Sequence, residues 1–91
     1  LPNTKSAAKR VRVAERRRMR NRIFRSSART YIRKAERLIA AGDADAAATA
    51  VGDAISTLDR AAIKGIIHKN NAARRKARLM KKFNALIRGE E

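Results

Sequence analysis

His68 is the one histidine of this 91-residue chain, and it stands in Ile67-His68-Lys69-Asn70-Asn71. A histidine acts as a general base when an acid or a nucleophile lies within its reach, and this neighbourhood supplies neither. Two other roles suit the position: capping the helix that follows, or touching a phosphate. Asn70 and Asn71 read the same way, with base or sugar contacts as the sharper option. Asp43 and Asp45 imitate the start of a calcium loop, but the later ligands and the required Gly are missing, so they read as helix caps. With no Cys and a single His, disulfides, iron–sulfur clusters, thiol catalysis and a zinc site are all excluded. No phosphate-binding glycine loop or paired-carboxylate site occurs. The residues therefore point away from an enzyme, a cofactor, a metal or a small-molecule substrate.

Charge remains. Lys and Arg number 24 against 8 Asp and Glu, for a net charge of +16. Residues 1–37 carry 14 basic and 2 acidic side chains, and residues 64–91 carry 9 and 2. Residues 38–63 hold one Arg and four Asp. Two strongly basic arms thus flank a mildly acidic middle. So large a charge makes a compact state repel itself, which implies a neutralising polyanion. No apolar run approaches the roughly 20 residues of a bilayer span, and the amino terminus lacks the apolar core of a signal peptide. The expectation is a soluble, non-secreted chain, with the start at Leu1 read as trimming or an unusual start.

Helices must position these charges. Gly42, Gly65 and Gly89 punctuate Ala-, Arg-, Lys-, Leu- and Ile-rich stretches, and the alternation of a β-strand is absent. The caps and glycines predict helices over about Thr4–Ala41, Ala44–Lys64 and Lys69–Arg88, with Asn3 and Thr4 as the first cap candidates after Pro2. Apolar stripes at helical spacing give the core: Phe24, Ala28, Tyr31, Ala35 and Leu38 with Ile32 and Ile39; then Ala47, Val51, Ala54, Ile55, Leu58 and Ala62; then Leu79, Met80, Phe83, Leu86 and Ile87. Ile66 and Ile67 close the connection. Short turns make neighbours antiparallel, so the fold class is all-α, a three-helix antiparallel bundle packed on roughly Ile23–Ala41. Gly52 in mid-helix costs about 1 kcal/mol against Ala and is expected to permit a close helix contact.

The first helix outruns its partners. At roughly 1.5 Å per residue it spans about 57 Å, against about 30 Å for the others. Residues 1–22 therefore read as a basic extension and residues 23–91 as the bundle. In the extension Lys5, Lys9, Arg10, Arg12, Arg16, Arg17, Arg18 and Arg20 leave basic side chains nearly all round, and Glu15 offsets little. Arg22, Arg25, Arg29 and Arg33 continue opposite the apolar stripe. Arg74, Arg78, Lys81 and Lys82 lie away from Phe83 and Leu86 on the third helix. An ordinary charged face is explained by solvation, but this density is the electrostatic footprint of a nucleic-acid surface.

Phe24, Tyr31 and Phe83 all fall on core stripes, which leaves no base-stacking platform. Recognition should then rest on phosphates, sugars and the shape of a folded polyanion. The preponderance of Arg suits bidentate phosphate contacts. An architectural, histone-like DNA-binding protein is the competing class. A membrane-active amphipathic peptide fits the first helix alone, and the Asp-bearing second helix argues against it.

Several blocks carry a family resemblance: Asn3–Arg10, Glu15-Arg16-Arg17-Arg18 through Asn21, Ala41-Gly42-Asp43, and above all Lys64-Gly65-Ile66-Ile67-His68-Lys69-Asn70-Asn71-Ala72-Ala73-Arg74-Arg75-Lys76. Across essentially its whole length the chain resembles the bacterial small-subunit ribosomal proteins numbered twenty. Pro2, where the family usually has a small residue, and the Ala-rich middle depart from the pattern. The resemblance implies a three-helix bundle with an extended first helix, embedded in the small subunit of cytoplasmic ribosomes. It implies direct binding to small-subunit (16S) rRNA early in assembly, at the 5′ domain and the long stem near the 3′ end. Other ribosomal proteins would be peripheral partners. Carried onto this sequence, RNA contact falls on Lys5, Ser6, Lys9, Arg10 and Arg16–Arg18, and on His68, Lys69, Asn70, Arg74 and Arg75. Asn21 and Lys64, within the matching blocks, join the candidates.

Overall fold

A computed structural model describes residues 4–89, in which three helices run in order: α1 (Lys5–Ala40), α2 (Ala44–Ile63) and α3 (Lys69–Ile87). Pro2 and Asn3 lie outside the described residues. The helices match the expected spans to within a residue, because Thr4, Ala41, Lys64 and Arg88 serve as caps. Thr4 begins α1 by accepting from the Ala7 amide through its side chain at 3.1 Å, which satisfies one of the amides that a helix start leaves without a partner.

The corner between α1 and α2 turns on two residues. Gly42 adopts φ +77°, the left-handed geometry that a side chain would strain, and donates to the Ile39 carbonyl. Asp43 donates its amide to the Leu38 carbonyl and caps α2 by accepting from Ala46 through its carboxylate. The capping role expected of Asp43 is what the structure shows, and Asp45 sits in the first turn of α2. Gly65 repeats the device at φ +74° after α2, and the next amide, that of Ile66, bonds the Ala61 carbonyl. Ile66 thereby turns inward and is 5 % exposed.

The three helices pack as an antiparallel bundle whose core is built largely of alanine. Ala35 of α1 meets Ala50, Val51 and Ala54 of α2 and Leu79 of α3, with Ile32, Leu38, Ile39, Ile55, Met80 and Phe83 around them. A second cluster joins Ala28, Leu58 and Ala72, flanked by Ile67 and Ala62. Leu58 and Leu79 are the largest fully buried side chains, each contributing roughly 1.5–3 kcal/mol through burial. Two ion pairs brace the helices: Lys76 with Asp59 at 2.7 Å and Lys82 with Glu36 at 3.1 Å. Both are half-exposed and each adds at most about 1 kcal/mol.

Four sequence expectations need correction. Gly52 faces open space, with nothing within 4 Å of where its Cβ would stand, so no helix contact accounts for it. Tyr31 is 37 % exposed and belongs to neither core cluster. Ile23 and Ile87 are likewise exposed, because each lies at the end of its helix's contact with the bundle.

α1 projects from the bundle. Its first buried side chain is Ala28, and from Lys5 to Arg22 none is buried. The described residues span 63 × 21 × 15 Å, the long dimension being that of α1.

Candidate nucleic-acid interface

The overhang presents cations on several faces at once. Between Lys5 and Arg22 the sequence has nine Lys and Arg against Glu15 alone, and no acid among the described residues pairs with any of them. Ser6, Lys9, Arg10 and Arg17 border one shallow groove, with Val13 and Ala14 in it. Arg12 and Arg16 border another beside Glu15 and Met19. Arg18, Arg20 and Arg22 are exposed. Met19 is 66 % exposed on the same rod, so apolar surface as well as charge is free there.

Where the overhang meets the bundle, three of the expected binding residues also make contacts within the protein. Arg25 donates through Nη2 to the Ile66 carbonyl at 3.0 Å, so one of its donors holds the turn between α2 and α3. The Lys64 ammonium sits 5.7 Å from the centroid of the Phe24 ring, within range of a cation–π attraction. His68 caps α3: its Nδ1 accepts from the Asn70 amide at 3.1 Å. In the neutral ring that bond places the proton on Nε2, which makes the exposed imidazole a hydrogen-bond donor toward the outside. Lys69, Asn70 and Arg74 are exposed beside it. The amide oxygens of Asn21 and Asn71 are buried without a partner, so the polar groups of this junction are incompletely satisfied within the protein.

A second cationic surface lies between helices. α1 touches α3 far less than it touches α2, and an open cleft of about 820 Å³ separates them. Arg29 and Arg33 form one lip; Arg75, Arg78, Lys81 and Lys82 form the other, over a floor of Ile32, Leu79 and Ala85. The period of each helix gives these as separate faces, whereas in the fold Lys82 bonds Glu36 across the cleft. The grouping depends on how α1 and α3 pair, which no single-helix period encodes.

The described residues contain no cluster of His, Asp and Glu able to hold a metal, and no helix is long and apolar enough to cross a membrane. What the fold presents is a small, all-helical, heavily cationic body with a projecting rod, the form of a structural protein that works by surface contact.

Comparison with known families is specific. Residues 2–84 match the family of ribosomal protein S20, and the chain belongs to that family. It is 69 % identical over 88 residues to the small ribosomal subunit protein bS20 of Thermomicrobium roseum, covering 97 % of this chain and 89 % of that one. The bS20 protein of Roseiflexus sp. (strain RS-1) is 60 % identical over 91 % of this chain and 90 % of its own length. That of Coprothermobacter proteolyticus is 48 % identical over 92 % and 96 %. The family is one of structural ribosomal proteins rather than enzymes.

Proposed function

We propose that this chain is a constituent of the bacterial small ribosomal subunit, in cytoplasmic ribosomes, and binds 16S rRNA directly, helping to fold and clamp it during assembly. The carrying observation is the uncovered rod: nine cations on Lys5–Arg22 with no acid paired to them and no buried side chain. The rod follows RNA grooves while Arg and Lys neutralise phosphates, and the bundle holds a separate RNA segment against it. Phosphate and shape contacts dominate, because base reading needs unstacked bases and a platform for them, and two of the three aromatics are engaged inside the protein. The expected partners are the 5′ domain and the long stem near the 3′ end, with other ribosomal proteins peripheral.

Labelled 16S rRNA 5′ domain, competed with unlabelled duplex DNA, tests the proposal. Retained selectivity for the rRNA supports it. Equal displacement by DNA favours an architectural DNA-binding role instead. Affinity should also fall steeply with salt, each neutralised phosphate contributing roughly 0.7–0.9 to the log–log slope.

A further inference from the structure

The cleft between α1 and α3 does more than add to the total charge. We infer that it is a track for one strand's phosphate backbone, separate from the rod, with sugars resting on the apolar floor. This rests on the RNA-binding reading above and assigns a second segment of RNA to a defined place on the protein.

Three observations carry it. First, the two lips bring six cations together against one acid, Glu36, which is already engaged by Lys82 at 3.1 Å. Arg33 and Arg78 are exposed and have no partner within the chain, so their guanidinium groups are available to phosphate oxygens as bidentate donors. Second, the cations of α3 rise along the cleft. At about 1.5 Å per residue, Arg75, Arg78 and Lys82 step by about 4.5 and 6 Å, a ladder suited to successive phosphates. Third, the floor is shallow and small: Ile32, Leu79 and Ala85. Three side chains are too few to seat the continuous apolar stripe of a protein helix, but they suit the apolar edge of a row of sugars. Charge and floor together favour a nucleic-acid strand over an acidic protein helix.

The Glu36–Lys82 pair gives the cleft a signature of its own. Glu36 is the one carboxylate lining the trough, where it opposes phosphate and ties up a cation. Removing it should tighten binding, an effect that damage to the fold cannot produce.

Hydroxyl-radical footprinting and salt titration with 16S rRNA test the assignment, using the full chain and three variants: Arg33→Gln with Arg78→Gln, Glu36→Gln, and Arg16→Gln with Arg17→Gln on the rod. The cleft pair should lose protection of one contiguous RNA segment and keep the rod's segment, with the log–log slope reduced by roughly 1.4 for two phosphates of a single strand. Glu36→Gln should bind severalfold more tightly, with its helicity kept and its melting lowered only slightly by loss of the exposed ion pair. An unchanged footprint, slope and affinity in both cleft variants, with binding weakened in the rod variant, overturns the track and leaves rod binding standing. That result is also what a protein helix in the cleft would give. Absence of any rRNA protection by the unaltered chain overturns the broader RNA reading, and this assignment with it.

Discussion

The Arg25 guanidinium and the Ile66 carbonyl oxygen lie 3.0 Å apart, joining α1 near the base of its overhang to the turn that precedes α3. The bond spans 41 positions of sequence and fixes the segment from which His68, Lys69 and Asn70 project. Arg25→Ala should destabilise the free protein by about 1–2 kcal/mol, as expected for loss of a charged hydrogen bond at a partly exposed site. In a chain this small each kcal/mol lowers Tm by about 4–8 °C. A thermal melt followed by circular dichroism measures it. A variant that melts normally yet binds RNA weakly would return Arg25 to the role of a simple phosphate ligand.

His68 is tested by separating its cap from its reach. His68→Ala removes the acceptor for the Asn70 amide and should cost about 1 kcal/mol. His68→Asn keeps a capping oxygen and should restore most of that stability. If RNA affinity stays low in the Asn variant, the outward imidazole face contributes to binding. If affinity returns with stability, the residue serves only as a cap.

Gly52 offers the opposite sign. Its surroundings are open and its φ is not in the positive range, so Gly52→Ala should raise stability by up to about 1 kcal/mol through helix propensity. Urea unfolding should show a higher midpoint at constant slope. A loss of stability would mean that an added methyl group meets something there.

Leu58 fills the centre of one of the two core clusters. Leu58→Ala should cost about 2–5 kcal/mol, a large share of what a core made mostly of alanine can supply. The isolated variant should lose most of its helical signal, and saturating rRNA should restore part of it, since a ligand that binds only the folded state stabilises it by mass action.

The overhang makes a separate prediction. Like charges recur at i, i+4 in Arg12/Arg16, Arg16/Arg20 and Arg18/Arg22, each pair opposing an isolated helix by a few tenths of a kcal/mol. Free in low salt, this segment should fray; with rRNA added, helical ellipticity should rise. Full helicity without RNA at low salt would sink that expectation.

Much of the architecture was legible in the residues. Three glycines, the cap at Asp43 and the stripes through Ala35, Leu58 and Leu79 gave the helices and their inward faces, because turn chemistry and helical period are local properties. The mismatch in helix length announced the overhang for the same reason. Gly52 and Tyr31 were misjudged because their surroundings depend on how α1 and α2 approach. The tyrosine ring stands at the edge of the bundle, and the glycine faces open space. The cleft could not be read at all from single-helix patterns: Arg33 and Arg78 become neighbours of one trough through tertiary pairing of α1 with α3. Arg25 shows a further limit, since sequence charge does not say whether a guanidinium faces a phosphate or a carbonyl of its own chain.

Asp43 closes one helix with its backbone and opens the next with its carboxylate. No spare residue separates those duties, so the elbow behaves as a welded bracket rather than a hinge. Adding a residue after Gly42 would misplace both fastenings together. Changes in chain length should therefore be poorly tolerated at this corner, and the seating of α2 against the end of α1 is set by the turn itself rather than by an outside partner.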